Sequence, residues 1–149
     1  MTPERPKVTD EIIMEAAKIM AAKIDADART IAEAYLHPMD GYELARALER
    51  YAHWDVDRDT MEQLDEMERE VRRLHDGACR AWVKENNVQP KLQPGETIKS
   101  GTVAGVCEHS IAMYQVKEHG CEREGRYLLV NFEDAEREHE AMKQEAGHE

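Results

Sequence analysis

The chain has 149 residues, of which 41% are hydrophobic, so it can bury a core in one domain or in two small units. Its 32 acidic and 20 basic residues give a net charge of −12, which opposes direct contact with nucleic-acid phosphates and anionic lipid. The sequence contains no apolar run near the roughly 20 residues that a membrane-spanning helix needs, which excludes a membrane protein of that kind.

Helical spacing of apolar residues begins after a proline-containing leader, residues 1–8. Thr9 and Asp10 offer N-cap oxygens to a first helix that carries its apolar residues as far as Ile24. A second short helix is predicted over residues 28–36, where the following His-Pro pair ends it, because the residue before proline is pushed away from α geometry.

The third predicted helix opens with a capping-box pattern, Asp40 with Glu43. It stops near Trp54. One face carries the apolar residues that we expect to be buried. That face is formed by Leu44, Ala47, Leu48 and Tyr51.

A long helix is predicted over about residues 59–86, and its apolar residues alternate in steps of three and four. This stripe is formed by Leu64, Met67, Val71, Leu74, Ala78 and Ala81. It is short for a free coiled coil, which favours a seam inside a three- to four-helix bundle. A homodimer seam is the alternative, and it would make the chain a homo-oligomeric structural or virion-associated protein.

The period changes from helical to strand-like in the last third of the chain. A proline- and glycine-containing linker, residues 88–96, leads into strands near residues 98–107, 112–117 and 126–132. The module over residues 97–132 is expected to be a small antiparallel sheet or an SH3-like barrel. Residues 133–149 form an acidic tail or a frayed helix. The fold class is therefore α+β, with the helical part over residues 9–87.

Acid is concentrated outside the strands. Residues 1–87 hold 20 acidic and 13 basic residues, whereas residues 88–132 hold five of each. The densest acidic stretch favours contact with a basic partner, either a host protein or a nucleic-acid-binding complex, and its array of carboxylates also suggests mimicry of DNA. The predicted partner-binding residues are Asp55, Asp57, Asp59, Glu62, Asp65 and Glu66.

Two sets of residues suggest a metal-binding module as a further alternative. The first set has the spacing of a calcium loop, although Thr60 stands where such a loop needs glycine; it consists of Asp55, Asp57, Asp59 and Glu66. The second offers zinc ligands without the usual C-x₂-C spacing; it consists of Cys107, His109, His119 and Cys121. The simpler interpretation is a helix cap at Asp57 or Asp59 and scattered strand-end residues. We therefore expect no metal and no cofactor.

No motif for nucleophilic or phosphate chemistry is present in the sequence, so we expect no enzyme activity. The three cysteines are an odd number in a chain that is not a disulfide-dense scaffold, and the first residues lack the apolar segment of a secretory signal. These features favour reduced thiols and a cytoplasmic location.

Three stretches in the C-terminal half, residues 82–90, 101–106 and 125–134, resemble small uncharacterised proteins encoded by phages and prophages of Gram-negative bacteria. The resemblance implies a context and no activity. Small acidic accessory proteins of phages often bind and block host machinery, including defence complexes such as CRISPR effectors. The sequence thus favours a non-enzymatic accessory protein that inhibits a host complex in the host cytosol through its acidic surface.

Overall fold

The computed structural model describes residues 3–147. The outermost residues of the predicted leader and tail, 1–2 and 148–149, lie outside this range. The described residues form two compact units, which divide between Ala81 and Trp82. As predicted, the fold is α+β, with helices first, then a small antiparallel sheet, then a C-terminal helix. The elements are α1 (Asp10–Ile24), α2 (Ala28–Ala34), α3 (Gly41–Ala52), α4 (Arg58–Leu64), α5 (Glu66–Glu85), β1 (Thr97–Ile98), β2 (Gly101–Val106), β3 (Met113–Glu118), β4 (Leu128–Asn131) and α6 (Phe132–Ala146).

Side-chain caps start the first helices where the sequence predicted them. The Thr9 hydroxyl accepts a hydrogen bond from the Ile12 N–H at 3.2 Å, and the Asp40 carboxylate accepts one from the Glu43 N–H at 2.8 Å. Each bond satisfies a backbone donor that the first turn of a helix leaves free. The helix α2 ends at Ala34, two residues before the predicted end.

The long helix predicted over residues 59–86 is helical over nearly all of that range, but it is interrupted at Asp65, where α4 ends and the 20-residue α5 begins. The Asp65 carboxylate accepts a hydrogen bond from the Gly41 N–H at 2.9 Å, which ties the break to the start of α3. A Cβ atom on Gly41 would lie 2.5 Å from the Asp65 nitrogen and 2.7 Å from the Met61 carbonyl oxygen. The bare backbone of Gly41 is thus what permits α3 to approach this break.

The core of the first unit is formed by the helices α1 to α5. Small residues of α1, Ala16 and Ala17, are fully buried and let the neighbouring helices approach closely. The larger core residues are Met20, Ile31, Tyr35, Leu44, Leu48, Leu64, Met67 and Val71. The α3 face was predicted correctly at Leu44 and Leu48 and wrongly at Tyr51, which is exposed at the last turn of the helix.

The four strands of the second unit form an open antiparallel sheet in the order β1-β2-β3-β4, not a barrel. The first predicted strand, residues 98–107, is wrong as one strand, because a turn at Lys99 and Ser100 divides it into the hairpin β1–β2. A side chain at Gly101 would collide with the Lys117 carbonyl oxygen on β3, which explains why glycine begins β2.

The core of the second unit lies on one face of this sheet. Trp82 at the end of α5, Val103 and Val116 on the strands, and Phe132 and Ala135 on α6 are buried there. The segment after residue 132 is therefore a packed helix and not a loose tail. It crosses the sheet and contacts β4, β3 and β1.

The predicted linker is held by a buried tyrosine. The hydroxyl of Tyr114 accepts hydrogen bonds from the N–H groups of Lys91 and Leu92 at 2.9 and 3.0 Å. Burial raises the pKa of Tyr114 above its ordinary value of 10.0, so the hydroxyl stays neutral at physiological pH. The ring of Tyr114 also contacts that of Phe132, with their centroids 4.4 Å apart.

Candidate functional site

The connection between α3 and α4 places carboxylates at the surface of the first unit. His53 ends α3 in the left-handed conformation, with a φ angle of 57°. Side chains then alternate along the extended chain, as they do in a strand. Trp54 and Val56 turn towards the core, while Asp55 and Asp57 are exposed. We call this surface, formed by Tyr51, Asp55, Asp57, Asp59 and Glu62, the acidic corner.

The structure gives the predicted acidic residues different roles. Asp57 is the N-cap of α4 and accepts a hydrogen bond from the Thr60 N–H at 2.7 Å. Asp65 binds the Gly41 N–H, as described above, and Glu66 accepts a hydrogen bond from the Lys23 ammonium at 2.9 Å. Asp65 and Glu66 therefore serve the fold of the first unit, and we leave them out of the acidic corner.

The remaining acids are available for a partner. Glu62 lies 3.4 Å from the Arg58 guanidinium in a pair whose members are both largely exposed. Within residues 3–147, the side chains of Asp55 and Asp59 make no hydrogen bond or ion pair. Both side chains are exposed to solvent.

Hydrogen bonding keeps the neighbouring carboxylates ionised. The Thr60 backbone N–H, followed by its hydroxyl, lowers the pKa of Asp57. The Lys23 ammonium lowers the pKa of Glu66, first through their hydrogen bond and then through its charge. Both shifts favour the negative form of these two carboxylates, Asp57 in the acidic corner and Glu66 beside it.

Tyr51, in the last turn of α3 and four residues before Asp55 in the chain, is 75% exposed. Tyrosine is enriched at protein interfaces because its ring buries apolar area while its hydroxyl stays hydrogen-bonded. The sequence analysis missed Tyr51 as a surface residue because it shares the helical spacing of Leu44 and Leu48. Its position in the last turn of α3 was the one feature of the sequence that could have indicated that Tyr51, unlike Leu44 and Leu48, is exposed.

Most residues of the alternative homodimer seam are already packed inside the first unit of the same chain. Leu64, Met67 and Val71 are fully buried in the core of the first unit, and Leu74 and Ala78 are half-buried. A homodimer through this stripe would have to replace contacts that the helices of one chain already make.

The two proposed metal sets do not converge. In the calcium-like set, Asp57 caps α4 and Glu66 binds Lys23. In the zinc-like set, His119 directs Nε2 at the Ile98 carbonyl oxygen, 3.1 Å away, and a carbonyl can only accept, so this nitrogen carries its proton. Across residues 3–147, no group of three or more His, Cys, Asp and Glu side chains is placed to hold a metal ion.

A cysteine–histidine pair that the sequence analysis did not identify lies on α5, at the i, i+4 spacing of a helix. The Sγ atom of Cys79 is 3.5 Å from Nε2 of His75. That nitrogen also lies 2.8 Å from the Pro6 carbonyl oxygen, to which it must donate. It therefore has no lone pair to accept the thiol proton, and His75 in this state attaches the leader to α5 without activating Cys79.

The second unit contains a polar cavity of about 290 Å³ between the linker and α6. It is lined by Lys91, Leu92, Glu96, Glu136, His139, Glu140 and Lys143. Burial raises the pKa of Glu136, and the charge of Lys91 opposes that shift. The Nδ1 atom of His139 donates to the Thr97 carbonyl oxygen at 3.1 Å, since a carbonyl oxygen can only accept. The cavity is lined by both lysines and glutamates and is open to solvent, so it is a weaker candidate for a functional site than the acidic corner.

Comparison of the chain with protein-family models, with curated proteins and with solved structures gives no match. Among the helices of residues 3–147, none combines the length and apolar character needed to cross a bilayer.

Proposed function

We propose that this protein acts without catalysis, by binding a basic protein surface through the acidic corner. One observation carries the proposal. Within residues 3–147, the exposed side chains of Asp55 and Asp59 make no hydrogen bond or ion pair, and Tyr51, four residues before Asp55 in the chain, is 75% exposed. An unpaired carboxylate loses less on binding than one that must first leave a partner, because no internal bond has to break.

The negative charge of residues 55–66 indicates which class of partner they would bind. Six acids and one base lie between Asp55 and Glu66, so the local field attracts basic surfaces and repels phosphates. A groove that binds nucleic acid is lined with lysine and arginine, and clustered carboxylates compete for it as phosphates do. Tyr51 supplies an apolar contact that charge alone lacks.

The proposed biological role follows from the resemblance to small phage-encoded proteins. In that context the bound groove belongs to a nucleic-acid-handling complex of the host, including its defence complexes, and binding blocks the complex in the host cytosol. This role rests on analogy, whereas the contact surface rests on the geometry of the acidic corner.

The experiment is a tagged capture from bacterial lysate at low and moderate salt, analysed by mass spectrometry. The test variant carries Asp55→Lys and Asp59→Lys. The matched control carries Glu108→Lys and Glu122→Lys, two exposed acids of the second unit, and has the same net charge as the test variant. We expect the wild type and the control to capture one basic nucleic-acid-binding complex, which salt releases, and the test variant to lose it.

Three results would contradict the proposal. Equal capture by the test variant would remove the acidic corner from the interface. A complex that withstands salt would exclude an interface dominated by exposed charges, which are screened over about 8–10 Å at physiological ionic strength. Equal loss in the control variant would show that net charge, and not this surface, controls binding.

A further inference from the structure

The outer edge of β4 is open. In the sheet order, β4 has β3 as its neighbour on one side and lies at the end of the sheet on the other. The helix α6 continues directly from β4 and crosses the sheet towards β1. At the β1 end, its Glu138 accepts a hydrogen bond from the Ser100 N–H at 2.9 Å, and its His139 contacts the Thr97 carbonyl oxygen at 3.1 Å. Among residues 3–147, the helix thus lies against the β1 end of the sheet and against one face of β4, while the outer edge of β4 has no neighbouring strand.

The register shows which backbone groups of β4 face outward. The Phe132 N–H donates to the Ala112 carbonyl at 3.0 Å, and Met113 of β3 instead accepts from Cys107 on the β2 side. Because antiparallel strands alternate between hydrogen-bonded and non-bonded pairs, Val130 and Leu128 also bond to β3. The N–H and C=O groups of Leu129, those of the preceding Tyr127 and the N–H of Asn131 therefore point away from the sheet, whereas the Asn131 C=O, at the N-cap of α6, accepts the first hydrogen bond of that helix.

The side chains along this edge are apolar. Leu128 is 41% exposed and Leu129 is 50% exposed, and Tyr127 before them is exposed to a similar extent. Natural edge strands are usually protected by a charge, a proline or a bulge. No such residue stands between Tyr127 and Asn131, so this edge has the character of an interface.

We propose that a second copy of this chain occupies the edge, with the two β4 strands paired antiparallel around Leu129. Residues that direct their backbone groups outward must pair with each other. A twofold axis at Leu129 does this, because Leu129 meets Leu129 of the second copy and Tyr127 meets Asn131. On the opposite face, Leu128 then meets Val130, so the exposed leucines of both copies are covered.

The charges beside β4 favour this antiparallel arrangement of two copies. Arg126 precedes the edge, and Glu133 and Asp134 follow it in the first turn of α6. Antiparallel pairing brings the base of one copy towards the acids of the other, whereas parallel pairing would set like charges together. The edge is therefore complementary to itself in hydrogen bonding, apolar contact and charge, which is the property of an isologous interface.

The paired segment of β4 is short, so we expect the dimer to be weak. Five residues on each side bury less than the roughly 1,200 Å² of a standard stable interface. We therefore expect a concentration-dependent dimer and not an obligate one. This inference does not depend on the acidic corner, which lies in the first unit.

Sedimentation velocity over a concentration series tests the dimer. We expect the wild type to shift towards the dimer as its concentration rises, and Leu129→Lys to remain a monomer, because two ammonium groups would face each other across the axis. The control is Leu36→Lys, which alters an exposed leucine of the first unit with the same change in net charge, and it should dimerise like the wild type. Circular dichroism shows that each variant keeps its fold.

Cross-linking tests the register. Paired Leu129 residues have Cα atoms about 5.5 Å apart, within the range that a disulfide spans. In a Cys121→Ser background, Leu129→Cys should give a covalent dimer on oxidation, and Val106→Cys, exposed on β2, should not. Four results would overturn the proposal. The wild type could stay monomeric at every concentration, or the Leu129→Lys variant could still dimerise. The two introduced cysteines could cross-link equally, or β4 could pair only with a strand of another protein.

Discussion

The replacement Tyr114→Phe tests how the linker is attached to the sheet. It removes one oxygen atom and keeps the ring, so the contact with Phe132 at 4.4 Å remains. The N–H groups of Lys91 and Leu92 lose their acceptor, and the Leu92 bond is buried. A buried donor left without a partner costs about 1–3 kcal/mol, so we expect the free energy of unfolding of the second unit to fall by about 2 kcal/mol. For a unit of this size, that corresponds to a decrease in Tm of about 8–16 °C.

The two tryptophans make the measurement specific. Trp82 is buried in the second core, and Trp54 packs against the first. In a Trp54→Phe background, urea unfolding followed by fluorescence reports on the second unit alone. The control is Tyr42→Phe, because this exposed hydroxyl makes no hydrogen bond within residues 3–147, and we expect no change in the urea midpoint. A loss below about 0.5 kcal/mol for Tyr114→Phe would refute the argument, since that is the range of an ordinary surface substitution.

Two further predictions concern glycine and a half-buried carboxyl. Gly41→Ala should destabilise the first unit by about 2–3 kcal/mol in urea unfolding, because its Cβ meets backbone atoms of Met61 and Asp65 that cannot move aside cheaply. Gly77→Ala, where no atom lies within 4 Å of the new Cβ, should instead stabilise α5 by up to about 1 kcal/mol; a matching loss in both variants would contradict the close approach. Because burial raises the folded-state pKa of Glu136 above its ordinary 4.5, its ionised form opposes folding. Glu136→Gln should therefore raise the urea midpoint of the second unit at pH 7, and the gain should disappear as the pH falls below 4.5; a gain that persists in acid would contradict this cause.

The sequence predicted the features of the fold that depend on near neighbours in the chain. The caps at Thr9, Asp40 and Asp57 require only a polar side chain and a backbone donor within three residues. The sequence predicted the caps at Thr9 and Asp40, and it offered Asp57 as one of two possible caps of the next helix. The strand-like spacing after the linker predicted the sheet for the same reason. Periodicity also placed Leu64, Met67 and Val71 on one face, which the structure buries.

The features that the sequence did not predict depend on distant contacts. The interruption at Asp65 has no proline or glycine to mark it, and at this position the Asp65 carboxylate accepts a hydrogen bond from the N–H of Gly41, 24 residues earlier. Just after the turn at Lys99 and Ser100, β3 approaches Gly101 so closely that a Cβ there would collide with the Lys117 carbonyl oxygen. The roles of the clustered acids could not be separated from spacing alone, because Glu66 is bound by Lys23, 43 residues away, while Asp55 and Asp59 make no such bond within the described chain.

The central claim is that the acidic corner binds a basic partner. The measurement that tests it most directly is the affinity of the captured complex for three purified proteins at two salt concentrations: the wild type, the Asp55→Lys/Asp59→Lys variant and the Glu108→Lys/Glu122→Lys control. We predict at least a tenfold loss of affinity for the first variant, which is about 1.4 kcal/mol, and a much smaller loss for the control. Affinities that are equal for the two variants would contradict the claim, because they would leave the position of the acids without effect.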